Sequence, residues 1–329
     1  MAKRIPFPFD IKNVTEDEDK LVKKYYKGYV RPFIKVGPKE YFWMAGYGDH
    51  AEDIYNLGVR SDDIWVVSFS RSGTTWLQEL VWLVANDLDY TGAAKDPLTK
   101  RFAFIEYPTQ ASEVRKPSVS GGHSATWNDY RDLHTLPSPR YVKSHVNLDC
   151  LPPKLLDTAK VFYIARHPLD VAVSFHFMHI LFRYFDDGVQ FKEFWDLYKR
   201  NLVLHAPLSA HVHEAWLKRN HPNMMFLFYE DMQMDLRKVI DRVTTFLGKE
   251  YTDEQKDKLA AHLTFDNMKK NNKVKTSTDA DDDSEIKFLR KGKSGNWVKY
   301  FDTEELVKEA EEYMRKYLEN TDMVFPTVN

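Results

Sequence analysis

The chain has little cysteine, no large excess of charge of either sign and no long apolar run. Its 329 residues include a single cysteine, Cys150, which excludes an internal disulfide and favours a reducing, cytoplasmic compartment. The 47 Lys and Arg residues nearly balance the 49 Asp and Glu residues, so the basic excess of a general nucleic-acid-binding protein is missing. Because no stretch approaches the ~18 consecutive apolar residues of a membrane-spanning helix, we expect no membrane partner.

Aromatic residues, by contrast, are abundant: the chain has 8 Trp, 18 Tyr and 21 Phe. Their flat apolar rings bury large areas and commonly line pockets for small lipophilic molecules. The composition therefore favours a protein that binds such a molecule.

Short apolar runs rich in β-branched and aromatic residues predict five buried strands, at residues 64–69, 102–105, 141–143, 161–165 and 224–229. Helical patterns lie at residues 75–86, 169–185, 191–203, 207–219, 235–247, 253–262 and 303–318. This alternation predicts an α/β fold, one domain over residues 1–329 with a mostly parallel sheet and helices on both faces. We expect residues 1–20 to form a surface arm and the polar residues 269–295 to form a mobile lid or nucleotide-binding loop.

Residues 70–76, Ser-Arg-Ser-Gly-Thr-Thr-Trp, lie between the first strong strand and its helix. The free N–H groups and the dipole of a helix N-terminus attract anions, and Gly73 lets the backbone approach a ligand closely. The segment therefore predicts a phosphate-binding turn, with an ordinary helix cap as the alternative. The nucleoside-triphosphatase pattern needs a second glycine followed by lysine, and neither is present.

Arg166 ends the strand at residues 161–165, at the place where nucleoside triphosphatases carry an Asp that helps to hold Mg²⁺. A cation there indicates that phosphate is bound by side-chain charge, and we predict no metal. Far downstream, residues 290–295 form a basic, glycine-containing loop. Such a run alone is usually a solvated loop, but together with Arg166 it predicts a second phosphate-binding pole, because Arg contacts phosphate through two hydrogen bonds.

Five separated motifs resemble the cytosolic sulfotransferases and are closest in wording to the insect branch, which includes retinol dehydratase. They are residues 70–76, Lys143-Ser144-His145, Arg166 with Ser174, Phe-Tyr-Glu-Asp at 228–231, and the Arg-Lys-Gly segment at 290–297. The resemblance implies an enzyme that moves a sulfuryl group from 3′-phosphoadenosine 5′-phosphosulfate (PAPS) to a hydroxyl of a small lipophilic acceptor, such as a phenol, a steroid or a retinoid-like alcohol. The product nucleotide would be 3′-phosphoadenosine 5′-phosphate (PAP).

The resemblance also implies roles for individual residues. The 5′-phosphosulfate would be held by Arg71, Ser72, Gly73, Thr74, Thr75 and Trp76. The 3′-phosphate end would be held by Arg166, Ser174, Arg290, Lys291 and Gly292, in a nucleotide-binding loop that also includes Phe288 and Leu289. The adenine would contact Trp76, Tyr229, Leu263, Thr264, Phe265 and Met268. The catalytic group would be His145, with Lys143 beside the sulfuryl group and Arg71 at the leaving phosphate.

His145 and Lys143 are two residues apart at the end of a predicted strand, so their side chains are expected on the same face. Histidine suits a general base at neutral pH, and lysine can neutralise the sulfuryl oxygens. Phe104, Phe177 and Met178 are expected to line the acceptor pocket. The plain alternatives are a surface lysine for Lys143, a surface or core histidine for His145, and core packing for Phe104, Phe177 and Met178.

The chain departs from the family pattern in two places. Arg71 stands where the family usually has lysine, and arginine remains protonated, so it cannot act as a general acid. In the family's dimer motif, Lys299 and Thr303 are followed by Glu304 and Lys308, which degrades the motif and leaves a homodimer open.

Two other functions remain open. One is a retinol dehydratase-like elimination through a transient sulfate ester. The other is a protein that binds the nucleotide and a lipophile without catalysis.

Overall fold

The structure is a computed structural model, which describes residues 4–27, 29, 31–111, 128–271 and 292–328. Its strands are β1 (Ile11–Asn13), β2 (Ile34–Val36), β3 (Tyr41–Trp43), β4 (Ile64–Val67), β5 (Ala103–Phe104), β6 (Tyr141–Ser144), β7 (Lys160–Ala165) and β8 (Met224–Phe228). Its first helices are α1 (Glu16–Tyr25), α2 (Gly46–Tyr55), α3 (Thr74–Ala85), α4 (Tyr90–Lys95), α5 (Leu98–Arg101), α6 (Tyr107–Ala111) and α7 (Leu155–Thr158). The later ones are α8 (Pro168–Leu181), α9 (Phe191–Lys199), α10 (Leu208–Leu217), α11 (Tyr229–Met234), α12 (Leu236–Leu247), α13 (Asp253–His262), α14 (Phe265–Lys270) and α15 (Glu304–Tyr317).

The central sheet contains the five predicted strands in the order β5-β6-β4-β7-β8. All of its pairings are parallel, so the carboxyl ends of the strands meet at one edge. Connections between parallel strands must cross over the sheet, and helices supply them here. The predicted fold class, a single α/β domain with a parallel sheet, is confirmed.

Both faces of this sheet are buried, which explains why its strands are mostly apolar. In β4, Trp65 and Val67 belong to one apolar cluster, whereas Ile64 and Val66 belong to another. Helix α3 packs into the second cluster, and α8 packs into the first. The sheet is therefore held from both sides, and its carboxyl edge is the part left to bind ligands.

Two predicted helices end earlier than their sequence patterns suggest. The pattern at residues 169–185 extends past the end of α8 at Leu181, and Arg183 has a left-handed φ of 55°. The pattern at residues 191–203 extends past the end of α9, and Asn201 has a φ of 58°. Both residues leave the helical region of backbone conformation, so apolar periodicity alone overestimates these helices.

The N-terminal region is more regular than the expected surface arm. Most of residues 4–20 are exposed, but β1 and the beginning of α1 lie among them. Thr15 caps α1, because its hydroxyl accepts the Glu18 N–H at 3.3 Å while the Glu18 carboxylate accepts the Thr15 N–H at 3.0 Å. Strand β1 joins β2 and β3 in a small antiparallel sheet that the apolar patterns did not indicate.

The small sheet also positions a segment near the main sheet. The Phe42 N–H in β3 donates to the Ala206 carbonyl at 2.7 Å, and the His205 N–H donates to the Phe42 carbonyl at 2.9 Å. Residue 205 is thereby fixed by backbone bonds before α10 begins.

The C-terminal region contains the altered dimer motif and part of the predicted lid. Thr303 caps α15, and Lys308 pairs with Glu304 along the same helix at 2.9 Å. The expectation of a mobile segment at residues 269–295 falls mostly on residues 272–291, which lie outside the described residues. In the described part of the chain, no helix combines the length and apolarity needed to cross a membrane.

Candidate active site

The predicted phosphate turn connects β4 to α3 at the carboxyl edge of the sheet. Gly73 has a φ of 106°, and a Cβ there would stand 2.6 Å from Cδ2 of Tyr229, so only glycine fits. The Ser68 and Thr74 hydroxyls share a hydrogen bond of 2.6 Å that closes the turn. The buried Ser72 hydroxyl has no hydrogen-bond partner among the described residues. A buried donor of this kind is costly unless a ligand satisfies it.

Tyr229 is where three distant parts of the chain meet. The Arg166 guanidinium lies over its ring, 4.3 Å from the centroid, and Gly73 packs against the same ring. The Arg71 Nε donates to the Ser174 hydroxyl at 3.0 Å. The structure thus brings together four residues predicted at the two phosphate poles. The Nε of Arg166 is buried and has no partner among the described residues.

The residues predicted to contact the adenine form a wall beside Tyr229. The Trp76 indole N–H donates to the Leu263 carbonyl at 2.8 Å, and its ring stands edge-on to Tyr229 with centroids 5.5 Å apart. Leu263 and Met268 are buried. A Cβ on Gly292 would collide with the Phe265 ring, so that loop lies directly against the wall.

Phe288, Leu289, Arg290 and Lys291, predicted for the second pole, lie outside the described residues. The loop just after them is fastened to the sheet edge. The Asp170 carboxylate accepts the Gly295 N–H at 2.7 Å and the Trp297 N–H at 3.2 Å. Gln233 donates to the Gly292 carbonyl at 2.9 Å. Sequence reasoning missed Asp170 and Gln233, although Asp170 lies between Arg166 and Ser174 in one predicted motif.

His145 lies directly after β6 and is 8% exposed. Its Nδ1 is 2.9 Å from the Ser68 carbonyl oxygen, which can only accept, so the proton is on Nδ1. Nε2 is therefore the basic nitrogen. Burial, followed by the Lys143 charge, lowers the pKa of His145 well below its ordinary value, which keeps the ring neutral.

Lys143 lies on the same strand, with Nζ 4.0 Å from the centroid of the Phe104 ring. Phe104 in turn stands edge-on to His145, with centroids 5.7 Å apart. Burial lowers the pKa of Lys143, while the charge of Glu106 raises it. The predicted pair and one predicted pocket residue are therefore neighbours. Phe177 contacts the Tyr300 ring on the side of α8, and its predicted pocket role and that of Met178 stay predictions.

Glu106 and His205 are site residues that sequence reasoning missed. Glu106 is fully buried, two residues after β5, and its carboxyl accepts the backbone N–H of His145. The His205 ring stacks on His145 with centroids 5.5 Å apart, and its Nδ1 lies 2.9 Å from the Ser70 hydroxyl. The sequence gives one indication of Glu106, which is its position directly after the predicted strand at residues 102–105. It gives none of His205.

Across the described ranges, no group of three or more His, Cys, Asp or Glu side chains is arranged to hold a metal ion.

Comparison with known proteins identifies the class. Residues 61–322 match the family described as the sulfotransferase domain. Luciferin sulfotransferase from Photinus pyralis is 29% identical over 94% of this chain and 87% of its own. Retinol dehydratase, solved in complex with androsterone and inactive cofactor PAP, is 36% identical over 98% of this chain and 99% of its own, with a TM-score of 0.89. Its complex with retinol and PAP gives 35% over 98% and 100%, with a TM-score of 0.88.

The chain therefore belongs to the sulfotransferase family. The assignment to the cytosolic sulfotransferases, as a PAPS-dependent enzyme, is confirmed.

Proposed function

We propose that this enzyme transfers the sulfuryl group of PAPS to a hydroxyl of a small lipophilic acceptor, with His145 as the general base. The observation that carries this proposal is the bond between His145 Nδ1 and the Ser68 carbonyl. That bond fixes the tautomer and leaves Nε2 to accept a proton at the edge of the sheet.

The described residues fit the nucleotide. The turn offers the unsatisfied Ser72 hydroxyl, the amide groups at the start of α3 and the Arg71 charge to a 5′-phosphosulfate. Arg166, whose Nε likewise has no partner within residues 128–271 and the other described ranges, and Ser174 would bind the 3′-phosphate. The Trp76 and Tyr229 rings would contact the adenine. The related retinol dehydratase is reported with PAP, which supports this arrangement.

His145, Lys143 and Arg71 have separate roles in the reaction. His145 Nε2 takes the acceptor's hydroxyl proton as the new O–S bond forms and the bond from sulfur to the phosphate oxygen breaks. Lys143 neutralises charge on the sulfuryl oxygens. Arg71 stabilises the departing phosphate, which leaves as an anion and so needs no general acid at neutral pH.

Replacement of the base tests this assignment. Because a positioned base contributes ~10²–10⁴-fold, His145→Ala should lose activity by that factor. PAP affinity, measured by calorimetry, should stay close to that of the wild type, because the nucleotide contacts remain. The matched control is His134→Ala at an exposed histidine, which should leave activity unchanged. Activity of His145→Ala within tenfold of wild type would disprove the base assignment.

The acceptor is proposed to be a lipophilic alcohol, because the related retinol dehydratase is reported with androsterone and with retinol. The same similarity favours a second candidate. With an allylic alcohol the sulfate ester would undergo elimination, in which the C–O bond breaks, sulfate leaves and a base takes a proton from carbon. Labelled PAPS and a panel of phenols, steroids and retinoids distinguish the two. A stable sulfate ester supports transfer alone, and an anhydro product with free sulfate supports elimination. Bound PAP with neither product would indicate a non-catalytic binding protein.

A further inference from the structure

Glu106 is a buried acid beside two residues of the proposed machinery. Its side chain is fully excluded from solvent, and its two oxygens have different partners. One accepts the backbone N–H of His145, and the other accepts the Ser144 hydroxyl at 3.0 Å. Ser144 in turn accepts the Val146 N–H at 3.0 Å. The Glu106 carboxyl therefore fixes Ser144 and His145 directly, and Val146 through Ser144.

We propose that Glu106 is a positioning residue that fixes His145 and serves as the counter-ion that keeps Lys143 protonated. This inference rests on the proposed roles of His145 and Lys143. It assigns Glu106 no contact with the donor or the acceptor.

The charges around Lys143 explain why a counter-ion is needed. Arg71, from the phosphate turn, is a second cation that lowers the pKa of Lys143, after burial itself. His145 and His205 face it as neutral rings, because burial lowers the pKa of each well below the ordinary value and the Lys143 charge lowers them further. The β5–β6 register pairs Lys143 with Phe104, two residues before Glu106, so the two charged residues lie at the same place on neighbouring segments. Within the described residues, Glu106 is the carboxylate that raises the pKa of Lys143.

The surroundings of Glu106 are equally specific. Burial raises its pKa, whereas the His145 N–H, Lys143 and the Ser144 hydroxyl lower it. Tyr47, on α2, also faces Glu106. Burial is the main reason why the pKa of this phenol lies well above its ordinary value. A neutral phenol cannot replace the charge of the carboxylate. The charge of Glu106 therefore favours the protonated form of Lys143 against the effects of burial and of Arg71.

Removal of that negative charge should make Lys143 lose its proton at lower pH. An opposite charge at close range moves a pKa by about 1–3 units. In Glu106→Gln, the alkaline limb of kcat/KM for PAPS should therefore move down by about one pH unit or more, since this parameter reports the free enzyme. The assay uses PAPS with androsterone, whose alcohol does not ionise between pH 6 and 10. Calorimetry with PAPS alone should show the same shift without an acceptor.

Five further variants separate this role from a merely structural one. Glu106→Asp keeps the charge, so its alkaline limb should stay within about half a pH unit of wild type while kcat falls. Ser144→Ala removes a hydrogen-bond donor to the Glu106 carboxyl. It should move the alkaline limb in the same direction as Glu106→Gln, but by less. Lys143→Arg should abolish the limb, alone and combined with Glu106→Gln, because arginine keeps its proton. The matched control is Glu79→Gln at another buried carboxylate, bonded to Arg101 at 2.6 Å, and it should leave the limb in place.

The outcomes are distinct. An unmoved limb in a folded Glu106→Gln, or an equal movement in Glu79→Gln, overturns the proposal. If Glu106→Gln does not fold, an unmoved limb in Ser144→Ala or a persistent limb in Lys143→Arg does so instead. A wild-type enzyme that binds PAPS but transfers to no acceptor would refute the proposed function, whereas the calorimetric shift would still test the Glu106–Lys143 pairing.

Discussion

The two ends of the strand pair β4 and β6 carry buried charges of very different character. At the amino end, Arg140 and Asp63 form a two-pronged ion pair of 2.7 and 2.5 Å, and Arg140 also donates to the Leu133 carbonyl. At the carboxyl end, Lys143 and Glu106 share a site with polar atoms on Ser72, Arg166 and His205 that have no hydrogen-bond partner in the described part of the chain. One end is complete within the protein, and the other is arranged for a ligand. The same sheet thus separates stability from function along its strands.

Breaking the complete pair should have the largest effect on stability. Arg140→Ala leaves the Asp63 carboxylate buried without its cation, and loss of one member of a buried pair costs about 3–5 kcal/mol. Denaturant unfolding should show this loss, while the folded fraction keeps its kcat. Lys143→Ala should instead lower kcat with little loss of stability. Burial raises the pKa of Glu106, so this acid can take up a proton when the lysine is absent. Equal stability losses in the two variants would contradict the comparison.

How far the sequence predicts each region follows from how local its determinants are. The phosphate turn is contiguous, and Lys143 with His145 lies on one strand, so residue order alone predicts them. Asp170 and Glu106 act through backbone N–H groups that only tertiary packing brings near, and neither contact leaves a periodic pattern. The three-residue strands of the small antiparallel sheet are too short to show alternation. Two later helix ends depend on single left-handed residues, which apolar spacing does not reveal.

At the carboxyl end, Arg71 is the residue that departs from the family pattern. If charge alone stabilises the departing phosphate, Arg71→Lys should keep kcat within about tenfold of wild type. Arg71→Ala should lose about 10²–10³-fold, the scale for one lost stabilising contact. The exposed Arg315, paired with Glu312 at 2.8 Å, offers a control, and Arg315→Ala should leave kcat unchanged. Equal collapse of the lysine and alanine variants would show that the planar guanidinium itself is required.

The smallest expected effect concerns the wall beside Tyr229, where a hydrogen bond within the protein supports the nucleotide site indirectly. Trp76→Phe removes the indole donor to the Leu263 carbonyl, a bond of 2.8 Å, and leaves an aromatic ring in place. Loss of one such bond costs about 1 kcal/mol, so PAP affinity measured by calorimetry should fall about fivefold. Trp216→Phe is the matched control, because it removes an indole bond of 2.6 Å to Asp322 at the surface. If both variants bind PAP as the wild type does, the Trp76 bond supports the fold alone and the wall does not depend on it.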